Sequence, residues 1–186
     1  MKTASLWFVV FFVCQTVFAQ ASMITLSEPK AVGFTVQPLA ILFGDYQLQT
    51  EFRVSDLFSI VVPAGLLAPN WSPFYLWTGI DPSNINGIAF PGWIAGAGIG
   101  PRVYPFGKAL ASGPYFQFLF FVGAGQTFGL QNFLALVQQR FHVGYAWVTE
   151  LGFTAEVFGG FQQSNFSNIE GQGFVSTAGI GIGWAL

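Results

Sequence analysis

The chain has 186 residues, a length suited to one domain, with a formal net charge of −2. Only 8% of residues are charged and 53% are hydrophobic, whereas an ordinary soluble domain carries about 25% charged residues. Too few charges remain to cover a water-facing surface, and no basic stripe is present, which excludes nucleic acid as an expected partner.

Residues 1–21 read as a cleaved secretory signal. Lys2 supplies the positive start, Leu6–Val13 the apolar core, and Val17-Phe18-Ala19 or Ala19-Gln20-Ala21 the small-residue cleavage site. That apolar core is shorter than the ~20 residues a membrane helix needs. Cys14 is the one cysteine. Lipoprotein-type cleavage would make it a lipidated terminus, but Val13 is larger than the residue such cleavage favours, so Cys14 reads as part of the discarded signal. Residues 22–186 then hold no disulfide and no thiolate metal ligand.

From Ala31 to Leu186 no apolar run is long enough for a membrane helix; the apolar residues alternate instead. In Leu151–Gln162 one parity reads Leu151, Phe153, Ala155, Val157, Gly159, Phe161, and the other holds Thr154, Glu156 and Gln162. A period of two places the two sets on opposite faces of a strand. Segments of this kind span about 31–43, 46–55, 57–67, 93–104, 114–126, 135–148, 151–163 and 173–185. Each is near or above the 9–11 residues of a tilted membrane strand. The expected fold is all-β: an eight-stranded antiparallel up-and-down transmembrane β-barrel over residues 22–186.

The connections support an up-and-down order. Short ones fall near Ser55-Asp56, Gly107–Gly113 and Thr149-Glu150, and longer ones over Ala68–Gly92, Thr127–Leu134 and Ser164–Gln172. With the N-terminus periplasmic, the short set lies inside and the long set outside, as in outer-membrane barrels. Gly44-Asp45 is the exception, a tight turn on the outer side. The 68–92 loop carries Pro69, Pro73, Pro82 and Pro91 with Trp71, Phe74, Tyr75 and Trp77. Its prolines oppose a central strand, and its aromatics suit interface packing or a surface partner. A helix over Tyr115–Val137 is the structural rival. Phe116, Phe118, Phe120 and Val122 favour a strand, and Phe133–Val137 stays open between strand and local helix.

If the bulky parity faces lipid, the other parity lists the lumen. It contains Gln47, Gln49, Glu51 and Arg53, then Arg102, then Arg140 and His142, then Glu156 and Gln162. Arginine facing lipid at the bilayer midplane costs about 2–4 kcal/mol, so all three strand arginines on the polar parity agree with the barrel. Arg53, Arg102 and Arg140 against Glu51 and Glu156 leave one positive charge, and pairing across the lumen is expected. A gate or narrow ion path is one reading. A filled polar core is the preferred one, because an eight-stranded barrel is just wide enough for side chains to fill. Phe116, Trp147 and Trp184 fall outward near periplasmic strand ends, as an aromatic girdle requires. The alternating Gly96, Gly98, Gly100 and Gly179, Gly181, Gly183 lack the strand-then-helix setting of phosphate loops.

Two stretches carry a family likeness: Gly100-Pro101-Arg102-Val103-Tyr104-Pro105-Phe106-Gly107-Lys108, and Gly144-Tyr145-Ala146-Trp147-Val148 followed by Gly152-Phe153-Thr154. With them the chain resembles small outer-membrane barrels of Gram-negative bacteria, the OmpW-, OmpX- and OmpA-barrel group. Within that group it is most similar to a family of uncharacterised barrels. The resemblance implies insertion into the outer membrane by the assembly machinery, with outer-membrane lipids as partners. Such barrels usually end in an aromatic residue; this chain ends Trp184-Ala185-Leu186.

The expected role is non-enzymatic, in envelope structure or surface interaction through the outer loops, with no cofactor and no metal. The alternatives are a narrow channel or small hydrophobic-ligand conduit, and a lipid-modifying enzyme of the outer membrane. The enzyme would rest on His142, the one histidine, which is followed by Val143-Gly144 and lacks the nearby serine of lipid A deacylases. A soluble lipocalin-like barrel would need its polar set outside, and that set is too small to cover an exterior. Asn70-Trp71-Ser72 and Asn165-Phe166-Ser167 match the glycosylation pattern, which a bacterial chain would carry by coincidence.

Overall fold

The period-two segments form strands whose backbones leave no edge. In the computed structural model, which describes residues 30–42, 45–68, 91–106, 109–127, 133–167 and 173–186, the strands are β1 (Val32–Val36), β2 (Asp45–Arg53), β3 (Phe58–Leu67), β4 (Pro91–Val103), β5 (Gly113–Thr127), β6 (Phe133–Val148), β7 (Phe153–Phe166) and β8 (Gly173–Ala185). Each is antiparallel to the next, and β8 returns to β1, closing an eight-stranded up-and-down barrel. No helix among the described residues is long and apolar enough to cross a membrane. The expected signal segment, residues 1–21, and residues 69–90 of the long connection lie outside the described residues.

Side chains sort by parity throughout. Phe52, Ile99, Phe116, Phe118, Phe120, Phe141, Phe161 and Ile182 are exposed on the outer wall. Gln49, Ser59, Arg102, Gln117, Leu119 and Glu156 are buried inside. Phe133–Val137 belongs to β6, paired from Phe133↔Gln126 to Val137↔Val122.

The chain departs from the expected strand at 31–43. Strand β1 stops at Val36, and Pro38–Leu42 forms a single helical turn, α1, packed against β2 and β8. Proline has no N–H for a ladder, and its fixed φ suits the first helical position. Ile41 N–H closes the turn on the Gln37 carbonyl at 3.2 Å. The closing seam is therefore short, four register pairs from Gly33↔Ala185 to Val36↔Ile182. Pro63 has a comparable effect inside β3. Its register with β2 persists at Gln49, but the β3–β4 register is interrupted between Val61↔Gly100 and Ala64↔Ala97, where the missing N–H falls.

The end of the barrel at which β1 begins and β8 ends is filled by residues 109–112, which lead into β5. Ala109, Leu110, Ala111 and Ser112 are all buried. Ser112 Oγ accepts from the Val148 N–H at 2.9 Å and donates to the Val148 carbonyl at 3.2 Å. The Lys30 N–H donates to the Leu110 carbonyl at 3.3 Å. Leu110 adopts φ 56°, a left-handed conformation that non-glycine residues rarely hold without surrounding contacts. Expected as a simple turn, this connection is instead a plug.

Closure at eight strands also brings backbones close. A Cβ placed on inward-facing Gly100 would overlap the Phe118 carbonyl oxygen on the neighbouring strand. Gly100→Ala is expected to destabilise the barrel by about 1–3 kcal/mol. Urea unfolding followed by tryptophan fluorescence should show an earlier midpoint, and an unchanged midpoint would count against this packing.

Candidate functional site

The strands of the barrel contain six carboxylate or guanidinium side chains: Asp45, Glu51, Arg53, Arg102, Arg140 and Glu156. All six occupy the inward parity. They do not form one cluster, and the structure divides them into three groups along the axis.

The first group lies above the plug. Register places Ser59 opposite Arg102 and Arg102 opposite Gln117, while Glu51 lies on β2 and Glu156 on β7. Arg102 Nη1 donates to Glu51 Oε2 at 2.8 Å and to Glu156 Oε2 at 3.0 Å, and its Nε donates to Gln117 Oε1 at 2.6 Å. Glu51 Oε1 accepts from Tyr104 OH at 2.8 Å and from Ser59 Oγ. The guanidinium centre stands 4.1 Å from the Tyr115 ring centroid, and Tyr115 lies against Tyr104 at 6.0 Å between centroids. The room for Glu156 comes from its register partner Gly181, where a Cβ would stand 2.6 Å from the glutamate Cγ.

This arrangement bridges β2, β3, β4, β5 and β7 through charge-assisted hydrogen bonds that face one another across the axis. Taking three charges out of water is costly, and the cost is offset only when the geometry is complete. Within this tier the lumen is occupied by the network, and Ala109–Ser112 occupy the end below it.

The second group lies toward the opposite end. Arg140 is buried; Nη1 donates to Gln47 Oε1 at 2.7 Å and Nη2 to Gln138 Oε1 at 2.6 Å. Its guanidinium centre is 5.4 Å from the Phe121 ring centroid. Asp45, expected in a tight turn, begins β2 and shares this tier. His142 sits between the groups, buried and tilted against Phe158 with centroids 4.7 Å apart.

Arg53 forms the third group. It shares parity with Glu51 but lies at the strand end, where it pairs with Asp56 of the β2–β3 turn in partial exposure. The sequence reading set Arg53 against Glu51 and Glu156. The structure gives the ion pairs of both glutamates to Arg102. Of the girdle candidates, Phe116 and Trp184 are exposed on the outer wall and Trp147 is half-buried beside Tyr145, with centroids 4.8 Å apart. Phe153 meets Trp184 edge-on at 6.2 Å.

The sequence reading missed Tyr104, Tyr115, Ser59 and Asp45 as lumen residues. Asp45 shares parity with Gln47 and Glu51, and Tyr115 with Gln117, so extending the alternation would have found both. Tyr104 directly follows β4 and keeps the inward parity of Gly100 and Arg102, so the same extension reaches it. Among the described residues no group of three or more His, Cys, Asp or Glu could hold a metal ion. Comparison with known protein families, curated proteins and solved structures finds no match.

Removing Arg102 leaves two buried carboxylates facing each other without their cation. Arg102→Met is expected to cost about 3–5 kcal/mol, read as a lowered urea midpoint of the refolded barrel. Adding Glu51→Gln and Glu156→Gln should recover part of that loss. A single variant as stable as the parent, or a triple variant no better than the single one, would contradict the network.

Proposed function

We propose that the chain is a non-enzymatic, integral outer-membrane barrel whose polar lumen is filled, acting in envelope structure or surface interaction through its outer loops. The observation that carries this reading is the one-sided placement of charge. All six charged strand residues face inward, while the outer wall bears Phe34, Leu48, Phe52, Ile99, Phe118, Phe120, Phe141, Val157, Phe161 and Ile182. A closed sheet with an apolar exterior satisfies its backbone internally, the requirement that lipid imposes. Water imposes the opposite sorting.

A filled lumen argues against conduction. The Arg102 tier spans the axis, and the plug lies at the end where β1 begins and β8 ends. Function then falls to the connections at the other end, where the 68–92 segment concentrates tryptophan, tyrosine and proline. A surface partner is accordingly sought there, with membrane lipids and the assembly machinery as the remaining partners. The resemblance to small outer-membrane barrels agrees with this assignment.

Two measurements test the proposal. In unboiled electrophoresis of the membrane fraction, the folded barrel should migrate apart from the boiled chain. After incorporation into planar bilayers, purified protein should give no conductance above the lipid background. Release as a soluble, detergent-free monomer would overturn the membrane assignment. Steady single-channel currents abolished by a lumen-filling substitution at Gly181 would replace the filled-lumen reading with a channel.

A further inference from the structure

The rim at which β1 begins and β8 ends has junctions at β2–β3, β4–β5 and β6–β7, and one more where β8 meets β1. Each carries a large apolar side chain in the open. Leu57 is 51% exposed, Phe106 87%, Leu151 82% and Leu186 67%. Single apolar residues are ordinary on a protein surface, but one at every junction forms a ring. Several polar groups of the same rim are engaged within the barrel. The Val54 and Ser55 N–H groups donate to the Phe58 carbonyl, the Thr149 N–H to the Phe153 carbonyl and the Leu186 N–H to the Val32 carbonyl, while Asp56 pairs with Arg53.

The outward parity behaves differently at the two ends of the wall. Toward this rim it stays apolar past the strands: Val54 continues Phe52, and Leu151 precedes Phe153, all four exposed. Toward the other end it turns polar while the ladder still runs. Gln126 on β5, Gln139 on β6 and Ser176 on β8 are exposed and lie within their register. Trp93, the register partner of Gln126, stands at that boundary, a place tryptophan favours at a membrane–water interface. The apolar belt is therefore displaced toward the plugged end.

From this displacement we infer that the plugged end is immersed in the bilayer as far as its turns, which contact lipid at the acyl–headgroup boundary, and that the opposite strand ends stand clear of the acyl chains. This placement rests on the membrane assignment proposed above. Lipid fits the ring better than a protein partner does. A partner seated on the end face covers one side or the centre, whereas these residues are distributed around the rim, and Ala109–Ser112, below the Arg102 tier, are themselves buried. A surrounding medium reaches all four junctions. Asp56 and Glu150, exposed beside Leu57 and Leu151, set the depth: the apolar tips enter the acyl region and the carboxylates stay among the headgroups. The bilayer then grips the barrel off-centre, and the end that carries the 68–92 connection projects.

The test uses Leu57→Cys, Phe106→Cys, Leu151→Cys, Phe118→Cys and Gln126→Cys, each in a Cys14→Ser background, labelled with bimane and refolded into phosphatidylcholine vesicles. All five positions are exposed, so each variant should keep the heat-dependent mobility of the parent, and only barrels that do are measured. Quenching by lipid brominated on the acyl chain near the headgroup is compared with quenching by iodide present on both sides of the membrane. Labels at 57, 106 and 151 should follow the mid-wall label at 118 and be quenched severalfold more by the brominated lipid, with the order reversed at 126. Iodide quenching at 106 and 151 with lipid quenching retained at 118 would overturn the inference and leave the membrane assignment standing. Iodide quenching at 118 would remove the membrane assignment and the inference with it. Shielding of 106 and 151 from both quenchers would overturn the inference in favour of a contact between copies of the chain.

Discussion

A strand presents a backbone donor and acceptor on both edges, and a sheet that ends leaves them unpaired. In this chain the ladder runs from β1 through β8 and back to β1, interrupted where Pro38 ends β1, at Pro63 in β3, and in β4 at Gly100–Pro101 and between Pro91 and Trp93. Everything else follows from that closure. Alternation becomes an inside and an outside, and with so few charges in the chain, the inside receives all those that the strands carry. In the proposed bilayer setting the same closure satisfies a backbone that lipid cannot hydrogen-bond.

Closing eight strands makes the interior narrow, and the chain fills it by two different means. Near the termini the filling is ionic and aromatic: Arg102 between Glu51 and Glu156, backed by Tyr104 and Tyr115, with Ala109–Ser112 beneath. Toward the other end it is amide-rich and incomplete, leaving a small cavity lined by Asp45 and Arg140. Glycines make this possible by different routes. Gly181 vacates space for a glutamate, whereas Gly100 lets two backbones approach. The first tier bridges five strands, and the second leaves space unfilled.

Much of this was legible in the residues. The alternation located seven of the eight strands to within about three residues and sorted Gln47, Gln49, Glu51, Arg102, Arg140, His142 and Glu156 to the inside, because a period of two is a strong local signal. It overextends β1, because the apolar run continues past Pro38, which has no N–H to carry the ladder on. It also sets Arg53 with Arg102 and Arg140 in one lumen network with Glu51 and Glu156. Parity gives the face of a strand but not the height along the axis, and Arg53 lies low enough to reach Asp56 in its own turn. The plug was hidden for a related reason. Ala109–Ser112 is too short to carry a period-two signal, and its inward fold depends on long-range contacts with Val148 and Lys30.

The central claim is that one parity of the wall faces lipid and the other a packed polar interior. It is tested most directly by single cysteines along Tyr115–Val122, carried in a Cys14→Ser background, labelled with a nitroxide in vesicles. Accessibility to oxygen and to a water-soluble nickel reagent is then compared position by position. The account predicts that 116, 118, 120 and 122 are open to oxygen and closed to nickel, while 115, 117, 119 and 121 are closed to both. Nickel access at the even positions, or no alternation at all, would contradict it.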